Sequence, residues 1–382
     1  MRGNITRRGK SSWRIKFDLG RDQATGQRQI RFVTVRGKRQ DAEKELTRLL
    51  TASDGGTLVD PSKVTVAECL RSWLDGPTDL AGKTLERYKQ LADQQIIPHL
   101  GTVQLQKLRP AQVQDWHSTL LQRGGKGGKP LSARTVGHAH RVLHRALERA
   151  VTAEAVSRNV AHAIEPPKVE AEEVEALATG QMAAVLSKLA GNALYVIVTV
   201  ALSTGMRRGE LLALRWSDIN LDGAALRVER SLEETKAGLK FKAPKTRHGR
   251  RTISLPASAV DALRSHRKAQ MEMRLALGMG RPDTDALVFG RPDGAPMSPD
   301  NLSRDWRRAV KALKLPEVMF HALRHSHASA LISSGLDVLT VSRRLGHGTP
   351  VVTLTTYAHL FEKTDQTAAK AIEAALRTST EQ

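Results

Sequence analysis

The chain is nearly devoid of cysteine. Cys69 is the only one in 382 residues, so no intrachain disulfide can form and a cysteine-built zinc site is excluded. Aromatic residues make up 4%, and tyrosine occurs only at Tyr88, Tyr195 and Tyr357. Long apolar runs are missing too. The longest, residues 193–202, is interrupted by Thr199 and is too short to cross a bilayer. The N-terminal Met1-Arg2-Gly3-Asn4 lacks the apolar stretch of a signal peptide. These features point to a cytoplasmic protein. Acidic charge is in deficit, with 39 Asp and Glu against 60 Lys and Arg, a net of +21. Such a surplus repels itself in the free protein, and a polyanionic partner relieves it. Because the charge is spread along the whole chain rather than along one amphipathic helix, it favours nucleic acid over a membrane surface.

Length and pattern divide the chain into three segments. Residues 1–40 carry twelve Lys or Arg against two Asp. Within them Ser12-Trp13-Arg14-Ile15-Lys16-Phe17-Asp18-Leu19 alternates apolar with polar, the period of a half-buried strand. Thr25-Gly26 supplies a turn, and 29–35 reads as the returning strand. Residues 39–52 are helical in pattern. A small basic sheet plus helix over 1–56 fits a DNA groove, with Arg14, Lys16 and Arg31 as contacts. The alternative is a solvated sheet whose charges are idle.

Residues 61–167 read as all-helical. Thr65 or Ser62 caps a helix through Leu74, and Thr84 caps one through Ile97 that Pro98 and Gly101 stop. Arg109-Pro110 opens a third, and Ser132 or Thr135 a fourth that ends near Val156. Arg134, Arg141, Arg145 and Arg149 along that last helix form either a solvated face or a phosphate-tracking one. Pro166-Pro167 and the glutamates after it read as a linker. From Thr179 onward the pattern is mixed. Helices are predicted at 183–203, 210–214, 257–277, 300–313, 321–334, 338–344 and 351–360, and strands at 225–229, 239–242 and 251–255. The fold class is therefore multidomain and mainly α, ending in a mixed α+β domain.

Five clusters in the last segment can assemble a phosphodiester-cleaving site. They are Thr204-Gly205-Met206-Arg207-Arg208-Gly209-Glu210, Pro244-Lys245-Thr246, His321-Ala322-Leu323-Arg324-His325, Leu345-Gly346-His347 and Tyr357. Cleavage needs charge stabilisation, a nucleophile and a proton for the leaving oxygen. Guanidiniums present paired donors to phosphate oxygens, so two arginines from different elements make a clamp. Tyr357 can attack phosphorus, and Lys245 is a candidate general acid. Arg208 competes with Arg207 for the clamp. Lys240 and Lys242 compete with Lys245 within 236–251, a stretch of seven Lys or Arg with no acid. Most of its charges read as solvated or near phosphate, Lys242 among the DNA contacts. His325 and His327 beside His321 invite a metal reading, but no HExxH spacing or clustered carboxylates accompany them.

In this order the clusters resemble those of the tyrosine recombinases, the phage-type site-specific integrases. The resemblance covers nearly the whole chain. It implies an arm-type DNA-binding domain at 1–56, a helical SAM-like core-binding domain at 61–167 and a catalytic domain at 176–382. It makes Arg207, Lys245, His321, Arg324, His347 and Tyr357 the catalytic set, with Glu210 as the supporting acid of Arg207. It implies a 3′-phosphotyrosyl intermediate, with His321 as proton acceptor and His347 as donor to the phosphate. Because the link conserves the phosphodiester, no metal, ATP or other cofactor is required. The implied partners are double-stranded DNA at core and arm-type sites, a homotetramer on that DNA, and an accessory protein for excision or bending. The implied location is the nucleoid of a bacterial host. The stretch 363–377 would form an amphipathic helix that docks on a neighbouring protomer or folds back in cis. A chromosome-dimer resolvase would resemble only the last two segments. A regulator with a degenerate site would have lost a catalytic side chain, and none is lost.

Overall fold

The structure is a computed structural model that describes residues 3–21, 26–55, 58–170, 175–244, 247–361 and 365–377. It divides into two compact units, Met1–Glu170 and Ala171–Gln382. The first opens with an antiparallel sheet of β1 (Gly3–Gly9), β2 (Ser12–Arg21) and β3 (Arg28–Arg36), in that order. The alternation in β2 sends Ile15 and Phe17 inward against Ala42 and Leu49 of α1 (Arg39–Asp54). Strand β1 has no sequence signal of its own, since Ile5 is its one large apolar residue. Pairing with β2, Ile5 opposite Ile15, makes it a strand. Of the expected Thr25-Gly26 turn, Gly26 takes φ +69° and Thr25 lies outside the described residues.

Helix α2 (Val66–Asp75) is capped by Thr65, with Glu68 returning a bond to the Thr65 N–H. The next helix departs from expectation. It begins as α3 (Gly82–Leu91) with no cap from Thr84, passes through a π-helical turn at Ala92–Ile96, and continues as α4 (Ile97–Leu100). Pro98 stands in the first turn of α4, directly after the π-helical turn, and the helix runs past it to Leu100 instead of stopping there. Then follow α5 (Pro110–Arg123) and α6 (Ala133–Thr152), the latter capped by Ser132. One face of α6 buries Val136, Val142, Leu143 and Leu147 in the core of this helical part. The helix ends at Thr152, short of Val156, and a 3₁₀ turn at Val160–Ala163 returns toward it.

The second unit starts with α7 (Thr179–Lys188), α8 (Tyr195–Thr204) and α9 (Arg208–Leu212). The single helix expected at 183–203 is two, because the chain turns between them, with Gly191 at φ +75°. Among the described residues five strands follow: β4 (Ile219–Asn220), β5 (Ala225–Val228), β6 (Ser231–Thr235), β7 (Gly238–Lys242) and β8 (Arg251–Ser254). They form a β4-β5-β8 sheet and a β6-β7 hairpin, all antiparallel. Strand β6 is polar in sequence, with only Leu232 apolar, so its pattern does not predict a strand. The chain ends with α10 (Ala257–Ala276), α11 (Pro299–Ala312), α12 (Ala322–Ser333), α13 (Val338–Leu345), α14 (Pro350–Phe361) and α15 (Asp365–Arg377). Helix α8 is apolar nearly all round and runs through the core beside Leu211, Leu263, Trp306 and Leu323. Among the described residues no helix is long and apolar enough to cross a membrane.

Candidate active site

Two glycines shape the site. Gly205 ends α8 and Gly346 ends α13, each in the left-handed region at φ +64° and +68°. A Cβ on Gly205 would lie 2.6 Å from the His327 ring and 2.9 Å from Leu345; one on Gly346 would lie 2.7 Å from Arg251 Nη1. Only glycine fits either place. The carbonyls at these two helix ends then serve as acceptors. Arg324, 4% exposed, donates from Nη1 to Gly205 O at 2.6 Å and from Nη2 to Leu345 O at 2.8 Å. Arg207 donates from Nη2 to Gly346 O at 3.1 Å. Acceptors on consecutive residues draw the two guanidiniums to one spot. These bonds occupy two N–H groups of Arg324, and three of its five are left for an anion. Burial first, and Arg207 second, lower the Arg324 pKa to about 9, which leaves it cationic at neutral pH.

Glu210 is 3% exposed. Its Oε2 accepts the Arg207 backbone N–H at 3.0 Å, and its Oε1 accepts Arg207 Nη1 at 2.8 Å. Arg251 adds a third bond, Nη2 to Glu210 Oε2 at 2.9 Å, and also donates from Nε to Arg344 O at 2.7 Å. Burial alone would raise this carboxyl; the pairs with Arg251 and Arg207 outweigh it and hold the pKa below the usual carboxylate range. Arg251 falls in 236–251, where most charges read from sequence as solvated or near phosphate. It is instead a buried brace. The overlooked signal is strand period, since Arg251 stands two residues before the buried Ile253 and so shares its face. Arg208 turns elsewhere, to Pro299 O at 2.8 Å and to Ser303 Oγ, and Arg207 alone of the adjacent pair joins Arg324.

Tyr357 is 2% exposed, in a pocket with Ala328, Ile332, Val341 and Leu345. Its φ of −124° breaks the regularity of α14. The phenol Oη lies 2.7 Å from His325 Nδ1. Burial pushes the Tyr357 pKa up to about 12, against the pull of Arg324, and burial, with His321 and Arg324 next, pushes His325 down to about 4. The pair is therefore neutral at pH 7. His321, at the start of α12, packs edge-to-face on His325 with ring centroids 4.9 Å apart. Desolvation, then Arg324, Arg207 and Arg208, lower its pKa. His347 bonds Thr353 Oγ1 through Nδ1 at 2.7 Å, and burial followed by Arg324, Arg207 and Arg251 brings it to about 4.

His327 is structural. A carbonyl can only accept, so Nδ1 carries the hydrogen shared with Leu202 O at 2.7 Å. Its Nε2 accepts from Arg344 Nε at 3.1 Å. Among the described residues the three imidazoles of α12 do not converge as metal ligands. Lys245 lies outside the described residues. His325, read from sequence only as a neighbour of the box, is the group that holds Tyr357.

The DNA-contact residues are placed as follows. Arg14 stacks 4.6 Å over the ring of Phe32, which pairs in register with Lys16. Both basic residues thus share the outer face with Phe32 and Ile30, 51% and 42% exposed. Arg31 pairs with Phe17 and is ion-paired to Asp60. Arg134 and Arg141 line an open cavity along α6, and Lys242 is ion-paired to Glu233.

Residues 168–364 match the phage integrase family, and residues 65–121 match the phage integrase N-terminal SAM-like domain. The chain belongs to the phage integrase family. Its members, the tyrosine recombinases, cleave and rejoin DNA strands, and this chain is an enzyme of that class. An integrase of Streptomyces ambofaciens is 30% identical over 376 residues, spanning 94% of this chain and 92% of the relative. The integrase of Mycobacterium phage L5 is 28% identical, spanning 83% and 81%. The fold is that of the Tn1549 transposon integrase bound to transposon right-end DNA, with TM-score 0.69, 22% identity, and 81% and 99% covered. A lambda integrase dimer on a core site gives TM-score 0.55 at 19% identity, covering 91% and 92%.

Proposed function

We propose that this integrase recombines a phage or other mobile element at specific sites in a bacterial chromosome, with Tyr357 as the nucleophile. The observation that carries the reading is the meeting of Arg207 and Arg324 at the Leu345–Gly346 carbonyls, in the unit where His325 holds a buried phenol. The guanidiniums hold the scissile phosphate and stabilise the charge of the transition state. The Tyr357 oxygen attacks phosphorus, the bond to the 5′ oxygen breaks, and a 3′-phosphotyrosyl link forms. The phenolic proton passes to an imidazole. His325 is the one in contact, and His321 is stacked against it. Lys245 protonates the departing 5′ oxygen, and His347 donates to the phosphate. The freed 5′-hydroxyl of a partner duplex reverses the step. Because the phenol is 2% exposed, cleavage requires α14 to move and release Tyr357 from His325 onto the DNA.

The domain roles follow the same reading: 1–56 for arm-type sites, 61–167 and 176–382 for the core site. Arg14 and Lys16 on the open sheet face suit a groove, and the ion pairs of Arg31 and Lys242 make them weaker choices. Double-stranded DNA is the substrate, four protomers act together, and an accessory protein sets direction. Ile372 and Leu376 of α15, one turn apart and 62% and 69% exposed, favour docking on a neighbour over folding back. For four protomers acting together, the lambda integrase tetramer bound to a Holliday junction is a precedent in that protein.

The test is a suicide substrate nicked near the crossover, incubated in EDTA. A covalent protein–DNA adduct is expected from the wild type and none from Tyr357→Phe. An adduct from that variant would refute the assignment.

A further inference from the structure

We propose that the helical part of the first unit carries a site for one divalent transition-metal ion, zinc by its chemistry, held by His144, Glu148 and His162. His144 and Glu148 are four residues apart on α6 and so share a face. The 3₁₀ turn at Val160–Ala163 returns His162 to that face. His144 Nε2 lies 3.3 Å from His162 Nδ1 and 3.9 Å from Glu148 Oε1. All three donor atoms are within 4.8 Å of one another. A tetrahedral zinc with bonds of about 2.0–2.1 Å has ligands about 3.3–3.5 Å apart. The two imidazole nitrogens already stand at that spacing, and the half-exposed Glu148 carboxylate reaches it by a side-chain rotation.

The surroundings favour a built site over a chance meeting. Asn159 donates from Nδ2 to Glu148 Oε1 at 2.7 Å and to His144 O at 3.1 Å, and its Oδ1 accepts the Ala161 N–H at 3.0 Å. One side chain thus aims the carboxylate and fixes the turn that presents His162, the role outer partners play around metal ligands. An open cavity of about 540 Å³ that includes His144 and His162 in its wall gives solvent an approach. Two imidazoles and one carboxylate are a zinc donor set, with water completing four ligands. Binding needs a lone pair on both facing nitrogens, so the hydrogen they share moves to an outward ring nitrogen. The ion takes no part in strand cleavage. It adds a tie between α6 and the segment from which the chain leaves this unit, beside the Asn159 bonds, the His144–His162 contact and the core packing of Ala161.

The experiment titrates the metal-free full chain with zinc by calorimetry and with cobalt(II) by visible absorption. The site predicts one saturable equivalent and cobalt bands of a tetrahedral N/O centre. His162→Gln, at an exposed position, removes them, and Asn159→Ser weakens binding by about ten-fold or more. Zinc also slows amide exchange across 156–166 in the wild type and not in His162→Gln. No binding tighter than about 1 mM, or an equivalent that survives His162→Gln unchanged, overturns the proposal. Retained integrase adduct formation in His162→Gln separates loss of the ion from loss of the fold.

Discussion

Replacing Arg251 with alanine tests whether the clamp is held from behind. The Arg251 and Glu210 side chains are 7% and 3% exposed, so the pair is buried, and removing one member of such a pair costs about 3–5 kcal/mol. Glu210 keeps Arg207, whose side chain is 41% exposed and screened by water, so the lower end applies, about 3 kcal/mol. That corresponds to roughly two decades in the opening equilibrium of the Arg207 turn. Because the chain has more than one unit, the readout is amide exchange of peptides covering 200–215 rather than one melting temperature. Adding Glu210→Gln removes the orphaned charge, and the double variant should recover about 1–3 kcal/mol of coupling. The pH dependence has a definite sign. The folded carboxyl lies below its unfolded value, so its contribution is full above about pH 4.3 and is lost as pH falls through the lower folded pKa. Glu210→Gln abolishes that dependence. Arg251→Ala should also slow cleavage by up to about 10²-fold through misplacement of Arg207. A change in exchange no larger than about 0.5 kcal/mol, the size of a surface substitution, would refute the brace.

Burial lowers His327 from 6.5 to about 4, worth about 3 kcal/mol of stability that is full above pH 6.5 and lost as pH falls through about 4. Imidazole NMR signals of His325, His327 and His347 should therefore stay in the neutral form at about pH 5.5, where a free histidine is mostly charged. Midpoints near 6.5 would contradict their enclosure. Gly205→Ala and Gly191→Ala share the left-handed backbone strain, about 1–2 kcal/mol, but a Cβ meets His327 and Leu345 at Gly205 and open space at Gly191. Amide exchange in the second unit should show Gly205→Ala the more damaging, and equal losses would remove the packing argument.

Arg207, Glu210 and His347 stand out in the sequence because each sits on a short local device. Gly205 before Arg207, Glu210 three residues after it, and Gly346 before His347 are helix-end chemistry, readable over a few residues. The long amphipathic helices α5, α6 and α11 and the alternating β2 were legible for the same reason. What escaped was made by distant partners. Strand β6 exists through pairing with β7, and β1 through β2. Arg251 meets Glu210 across 41 residues and His325 meets Tyr357 across 32, contacts that leave no period in the chain. Pro98 misled because the helix runs past it, from the π-helical turn at Ala92–Ile96 directly into α4.

The most direct measurement is mass spectrometry of the trapped protein–DNA adduct after digestion. The account predicts a nucleotide 3′-phosphate on the Tyr357 side chain, with a free 5′-hydroxyl on the released strand. Attachment at Tyr88, Tyr195 or a serine, or through a 5′-phosphate, would contradict it.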